Sequence, residues 1–245
     1  MNDFDIILIT ETWLTSGFYN TELCDDRYDV LRLDRNSKNS TKTSGGGVML
    51  CTKRSLHAQE MAEWTCDGVE CTWLTIPAST LASNECIKRE LHICIAYIPP
   101  DDLQSVRLTA FTDFLLYIFS LHPNDHYIIA GDFNLPHIGW SPTFDPTFLR
   151  RGTINLQNAG ARFVESCSSL GFSQYNLHKN SSGNILDLIF SDTYIEVSKS
   201  CSYLVKEDPS HPCLELKVSE LMTPSIKLKK EIRYNFKKAN YDKLN

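Results

Sequence analysis

Three acidic residues and one histidine of this 245-residue chain stand where apolar strand-like runs end or are interrupted. Glu11 closes Ile6-Ile7-Leu8-Ile9-Thr10, and Asp132, with Asn134 two residues on, closes Tyr127-Ile128-Ile129-Ala130-Gly131. Asp187 sits inside Asn184-Ile185-Leu186-Asp187-Leu188-Ile189-Phe190, and His211 follows Asp208-Pro209-Ser210. A carboxylate embedded in an apolar strand is costly unless it is paired, hydrogen-bonded or bound to metal. Each residue taken singly has a plainer reading: Glu11 as a solvated strand end, Asp132 as an Asx turn, Asp187 as a loop residue satisfying backbone groups, His211 as a surface imidazole. Only their conjunction points to chemistry.

The elements that must hold them are short strands with few helices. Phe4 to Thr10 reads as a central strand buried on both faces, because it is almost unbroken in its apolar character. Further strands are expected at Tyr28–Leu33, Gly47–Thr52, Val69–Ile76, Leu91–Ile98 and Tyr127–Ala130, each bounded by Gly, Pro, Asp or Asn. Four more are expected near Phe172–Tyr175, Ile185–Ser191, Ser200–Val205 and Cys213–Val218. Helical spacing marks Leu103 to Leu121, which ends at Pro123, and Ile154 to Leu170, which stops at Gly171 with Ala161, Val164, Cys167 and Leu170 on one face. This spacing suits packed sheets rather than a repeating βαβ array.

Composition narrows the class. The apolar share is 42% and the charged share 22%, ordinary values for a globular protein long enough to bury a sizeable core. No apolar run approaches the roughly 20 residues that span a bilayer, and Met1 to Thr10 does not read as a secretory leader. The reading is therefore an intracellular protein, nuclear or cytoplasmic. Nine cysteines, an odd number without a C-x-x-C pair, argue against a disulfide framework or zinc site and for reduced thiols. The net charge of −6 weighs mildly against a nonspecific nucleic-acid binder without forbidding a DNA ligand.

Six motifs stand in one order: Ile9-Thr10-Glu11-Thr12-Trp13-Leu14, Gly45-Gly46-Gly47-Val48, Ala96-Tyr97-Ile98-Pro99-Pro100, Gly131-Asp132-Phe133-Asn134, Asn184-Ile185-Leu186-Asp187-Leu188-Ile189-Phe190 and Ser210-His211-Pro212. Gly-Asp-Phe-Asn alone would arise by chance in roughly one chain in a thousand of this length. In this series the chain resembles the endonuclease/exonuclease/phosphatase superfamily, which includes deoxyribonuclease I and the apurinic endonucleases. More narrowly, it resembles the endonuclease domain of a non-LTR retrotransposon polyprotein. The resemblance implies an α/β (α+β) fold, a four-layer αββα sandwich of two packed mixed β-sheets. It implies a domain over residues 1–218 and a basic linker over residues 219–245, leading toward a reverse transcriptase.

The resemblance also assigns roles. Glu11 matches a ligand of Mg²⁺, with Mn²⁺ as an alternative ion; Mg²⁺ prefers hard oxygen donors and needs only one or two protein carboxylates. Asp132 matches the residue that orients or deprotonates the attacking water, and Asn134 and Tyr97 match donors to the scissile phosphate. Asp187 matches a further acid near metal and leaving group. His211 matches an imidazole that donates to a nonbridging oxygen or acts as base. The implied partner is DNA and the implied product a 3′-hydroxyl, made by a monomer.

Two departures qualify these roles. The family carries an Asn-bearing strand ahead of the Glu motif, which here begins ten residues after the start, so that first strand is expected to be missing and a sheet edge exposed. The family also places Asp directly before the His, where this chain has Ser210. The nearest acid along the chain is Asp208, which becomes the candidate orienter of His211. An inert remnant of the domain stays open as an alternative on these two counts, as does a phosphatase of inositol phosphates or a sphingomyelinase.

Overall fold

Apolar runs bounded by Gly, Pro and Asn fold as strands throughout the computed structural model, which describes residues 3–37, 39, 40, 42, 44–81, 89–201 and 207–218. A small antiparallel sheet holds β1 (Ile6–Thr10), β2 (Tyr28–Leu33) and β3 (Val48–Lys53) in the order β1-β3-β2. The chain then supplies β4 (Gln59–Glu60), β5 (Glu70–Ile76) and β6 (Leu91–Tyr97), helix α1 (Gln104–Leu121) and β7 (His126–Asp132). A hairpin of β8 (Ile138–Trp140) and β9 (Pro146–Phe148) leads into helix α2 (Ile154–Ser169). After β10 (Ser173–Gln174) and β11 (Asp187–Ser191), a six-stranded sheet is complete in the order β10-β11-β7-β6-β5-β4. It is mixed: β6 and β7 run parallel across α1, and every other neighbour is antiparallel. A last pair, β12 (Glu196–Lys199) with β13 (Leu214–Lys217), closes the described chain.

Two cores share the large sheet. Its even-numbered β6 residues, Cys94 and Ala96, face the helices, where Leu108, Phe111 and Leu115 of α1 and Phe163 and Cys167 of α2 bury against them. Its odd-numbered ones, Ile93 and Ile95, face the small sheet with Ile128, Ala130 and Ile189. Val48 and Leu50 answer from the small sheet, and the β12–β13 pair extends that layer with Val197, Leu214 and Leu216. The result is an α/β sandwich. Both α-helices among the described residues lie on one side, and the outer face of the small sheet is covered instead by the loop carrying Leu14, Leu23 and Cys24.

The sequence expectations differ from the structure at three places. β1 is an edge strand rather than a central one, since its only neighbour among the described residues is β3. Its apolar run is continuous because Ile6 and Leu8 serve the inter-sheet core while Ile7 and Ile9 meet the outer loop. Helix α2 buries Ala159, Gly160, Phe163, Val164 and Cys167, a face rotated from the expected one. Its ends follow local rules: Thr153 caps the start by accepting from the Leu156 N–H at 3.3 Å, and Gly171, at φ 80°, turns the chain away. The third is β12, a strand that was not expected; the strand expected at Ser200–Val205 falls largely on residues 202–206, which, like the basic tail, 219–245, lie outside the described residues. No helix among the described residues is long and apolar enough to cross a membrane.

Candidate active site

Strand register assembles the site. Glu70 pairs with Tyr97 across β5 and β6, Tyr97 with Asp132 across β6 and β7, and Asp132 with Asp187 across β7 and β11. Residues paired in this way project from the same face of a sheet. Four polar side chains therefore form one row at one end of the large sheet, on the face that looks toward the small sheet. Residues 27 to 117 positions apart meet because four strands end level.

Asp132 is 2% exposed and is held at the end of β7 by its own loop. Asn134, at φ 52°, donates from Nδ2 to Asp132 Oδ2 at 2.8 Å and from its backbone N–H to Oδ1 at 3.1 Å. The Nδ2 group also reaches the Ile98 carbonyl at 3.2 Å. Phe133 between them turns to the helix side and stacks on Phe163 at 4.9 Å, which anchors the loop in the core. Gln104, buried in the first turn of α1, donates from Nε2 to the carbonyls of Phe133 at 3.1 Å and Asn134 at 2.7 Å. Gly131 is demanded by contact: a Cβ there would stand 1.9 Å from the Ala96 carbonyl oxygen. The motif is thus a turn clamped from both sides, with its carboxylate aimed at the rim.

His211 completes the row. Its Nδ1 lies 3.1 Å from both Asp187 oxygens, and its Nε2 lies 3.7 Å from Asp132 Oδ2. The carboxylate that grips the imidazole is therefore Asp187. Asp208, the nearest acid along the chain, spends its carboxylate on the Ser210 N–H at 2.7 Å, and its backbone carbonyl accepts the His211 N–H at 2.9 Å. It shapes the turn that presents His211. The hydrogen bond to Asp187 raises His211 to about 9 against the opposing effect of burial, and Asp132 and Asp208 add to the rise. Asp132 is itself raised to about 7, first by burial and then by the neighbouring charge of Asp187, with His211 and Asn134 pulling the other way.

Glu11 arrives from the small sheet. It leaves β1 at φ 54°, and Trp13 repeats the left-handed conformation at φ 55°. Such conformations are uncommon for bulky residues and persist where surrounding contacts over-determine them. Here the glycine triplet supplies those contacts: the Thr12 and Trp13 N–H groups donate to the carbonyls of Gly47 and Gly46, and the Gly46 N–H donates to Glu11 Oε2 at 3.0 Å. The Trp13 indole donates to the same oxygen at 2.7 Å. Burial alone would raise the Glu11 carboxyl, but hydrogen bonds from Tyr97, Gly46 and Trp13, with Arg35 nearby, hold it below its ordinary value.

Two residues of this neighbourhood were not singled out in the sequence. Arg35 Nε donates to Glu70 Oε1 at 2.6 Å in an ion pair buried on both sides, and its guanidinium lies 5.7 Å from the centre of the Tyr97 ring. Glu70 Oε2 accepts the Gly47 N–H at 2.6 Å. Glu70 carried a usable signal, since it is a carboxylate inside an apolar strand like Asp187. Arg35 carried none, because its value depends on contacts made across the sandwich.

A divalent cation fits this donor set. Asp132, Asp187 and His211 each bring a ligand atom to within 4.8 Å of the others, and Glu11, the ligand the resemblance implies, is not in that group. Two adjacent carboxylates of which one is almost fully buried carry an excess of negative charge, and the raised value of Asp132 records it. Hard carboxylate oxygens are what Mg²⁺ takes. Beside the row, a cavity of about 280 Å³ opens between Pro100, Asn134, Leu156, Asn180 and Asn184. Its lining mixes amide and hydroxyl side chains, such as Gln104, Asn180 and Ser210, with the apolar faces of Pro136, Leu156 and Leu186.

Comparison with known proteins agrees with this picture. A family model described as endonuclease-reverse transcriptase matches residues 91–211, the segment that carries Tyr97, Asp132, Asn134, Asp187 and His211. No curated protein sequence matches the chain. Among solved structures, a 3′-5′ exonuclease from Neisseria meningitidis aligns at a TM-score of 0.52 and 12% identity, over 87% of this chain and 89% of its own. The endonuclease domain of TRAS1, a telomere-specific non-LTR retrotransposon, aligns at 0.50 and 12%, over 88% and 86%. The catalytic domain of human Nocturnin aligns at 0.50 and 12%, over 86% and 78%. At such identity the likeness to these structures is one of fold, and it is the matched segment, residues 91–211 with its ordered motifs, that is similar to the endonuclease-reverse transcriptase family of the endonuclease/exonuclease/phosphatase superfamily.

Proposed function

We propose that the chain is a Mg²⁺-dependent phosphodiesterase that nicks DNA and leaves a 3′-hydroxyl, the endonuclease of a non-LTR retrotransposon. The observation that carries this reading is the registered row itself, with Asp132 poised near neutral pH beside an imidazole gripped by Asp187. A general base works best when its pKa lies near the operating pH. Asp132 takes the proton of a water whose oxygen bonds to phosphorus, while the bond from phosphorus to the 3′-oxygen breaks with its electron pair and that oxygen ends as a hydroxyl. His211, cationic and oriented through Nδ1, donates from Nε2 to a nonbridging phosphate oxygen. The Tyr97 phenol donates to the same phosphate, and the Asn134 amide, whose two N–H groups are held by Asp132 and Ile98, joins it on releasing one of them. Glu11, with Asp187, would hold Mg²⁺, or Mn²⁺ in its place, which when bound neutralises charge developing on the transferring phosphoryl group.

DNA is the partner that this reading favours. Trp13 is 66% exposed beside Glu11, and an exposed indole offers a stacking surface that every base can use. The segment beyond residue 218 then leads to a reverse transcriptase in the longer polyprotein, and the domain acts as a monomer. Supercoiled plasmid tests the proposal. Incubated in Mg²⁺, the chain is expected to yield open circles, which EDTA suppresses and which Asp132→Ala does not produce. Absence of open circles with the native chain, or equal nicking by Asp132→Ala, rules the reading out and favours an inert remnant.

A further inference from the structure

A second cluster of ligating side chains lies at the other end of β6 and β7, and phosphodiester hydrolysis makes no use of it. His92 is the second residue of β6, buried on the helix side of the sheet. His122 is the residue that ends α1, and Asp125 follows it in the turn into β7. His92 Nε2 lies 3.1 Å from Asp125 Oδ2, and His122 Nδ1 lies 3.6 Å from the same oxygen. One ligand atom from each of the three falls within 4.8 Å of the others. We propose that His92, His122 and Asp125 form a binding site for a zinc-class divalent ion, with water in the fourth position.

Two of the three ligand spacings match the edge of a tetrahedral site. Zinc binds imidazole nitrogen and carboxylate oxygen at about 2.0–2.2 Å, so neighbouring ligand atoms of a tetrahedron stand roughly 3.3–3.5 Å apart. The two measured spacings bracket that edge. The donors are right as well: two imidazoles and one carboxylate suit zinc, whereas Mg²⁺ prefers oxygen alone.

The surroundings resemble the outer shell of a metal site. Thr75, the cross-strand partner of His92, places Oγ1 2.7 Å from His92 Nδ1. With Nδ1–H donated to that hydroxyl, the Nε2 lone pair faces Asp125, which is the tautomer a ligand requires. Asp125 Oδ1 accepts the Glu90 N–H at 3.1 Å, which fixes the carboxylate and leaves Oδ2 for the ion. Trp64 packs its ring against both imidazoles, at 5.0 Å from His92 and 5.3 Å from His122, which limits their rotation. An ion here would tie the turn between α1 and β7 to the start of β6, far from the acidic row.

Calorimetric titration of the full chain with Zn²⁺ after EDTA treatment and desalting tests the site, with His211→Ala as the control for the other cluster. The expected result is a zinc-binding event whose affinity His211→Ala leaves intact, whatever the acidic row also binds. His122→Ala, which removes a partly exposed ligand, weakens it at least about 100-fold, and Thr75→Val weakens it about 10–100-fold through loss of the orienting hydroxyl. Circular dichroism of the metal-free variants separates loss of the site from loss of the fold, and His122→Gln replaces His122→Ala should the latter unfold. Titration with Co²⁺ should give the intense visible bands of a tetrahedral complex. No bound zinc, zinc that survives His122→Ala unchanged, or zinc lost in His211→Ala overturns the proposal.

Discussion

Both ends of the β6–β7 pair hold a histidine 3.1 Å from an aspartate, yet the two imidazoles titrate in opposite directions. His211 rises to about 9, while His92 falls below its ordinary value. The contact distance is the same, so distance is not the cause. The His92 side chain is 1% exposed and desolvation of its charged form dominates, whereas the His211 side chain is 33% exposed and faces Asp132 and Asp208 as well as Asp187. Burial against the number of neighbouring carboxylates decides the protonation state. One end therefore presents a cation that can donate to phosphate, and the other a neutral ring that can ligate an ion.

The sharpest way to break this contrast is to delete one aspartate from each end. Asp132→Asn is expected to lower plasmid nicking by about 10³-fold, within the range for loss of a general base. Asp125→Asn at the far end should leave the rate unchanged. Equal losses from both would mean that the two ends share one function. Next in size is Arg35→Met, which strands Glu70 without its buried partner and should cost about 3–5 kcal/mol of stability in urea unfolding. Adding Glu70→Leu to Arg35→Met should recover most of that loss, because the uncompensated charge and not the absent bridge is what destabilises.

Asp187→Asn sharpens the comparison from within the acidic end. It removes the main support of the His211 charge, so the ring's pKa should fall from about 9 toward its ordinary value in an NMR titration. Nicking should drop about 10²-fold with it, if the imidazole works as a donor. Each end also has its tryptophan, and they too differ: Trp13 is 66% exposed and Trp64 6%. Trp13→Ala should cost on the order of 1–3 kcal/mol in DNA affinity at fixed salt, about one stacked base. Trp13→Phe separates the two uses of the indole, keeping a stacking face while removing the donor to Glu11. Restoration of affinity by Trp13→Phe would assign the effect to stacking.

How much of this was legible before the structure depends on how far each feature reaches along the chain. Alternation and turn residues marked β2 with both its ends, and spacing marked α1 nearly so, because such patterns are local. β12 escaped because Glu196-Val197-Ser198-Lys199 has no apolar run: it pairs only with β13 among the described residues and buries little besides Val197. Asp208 was the reasonable orienter of His211 along the chain, three residues away. Register instead sets Asp187 opposite Asp132, under the imidazole, and register between β7 and β11 is a tertiary fact. Gln104 and Arg35 were hidden for the same reason, since each matters through backbone or ring atoms about 30 to 60 residues distant. The second cluster was hidden too, as His92, His122 and Asp125 show no recognised ligand spacing.

The smallest effect tests the opening contrast most directly, through pH. His211 binds its proton more tightly folded than unfolded, so its stabilising contribution is complete below about 6.5 and is lost as pH rises through about 9. Asp132 works in the same sense at lower pH: a carboxyl raised to about 7 makes the folded state less favourable as pH climbs from its ordinary value toward 7. His92 has the opposite sign. Its folded pKa is depressed, so the unfolded chain takes up protons first and stability is lost as pH falls below about 6.5. Melting temperatures of the metal-free chain should therefore decline on the alkaline side. His211→Gln should flatten that decline above pH 6.5, and His92→Gln should flatten only the loss on the acid side. The slopes will be shallow, because solvent screens the half-exposed His211. A single variant that flattened both limbs would show that the two ends are coupled through β6 and β7, and that their opposite protonation is one property of the sheet rather than two local ones.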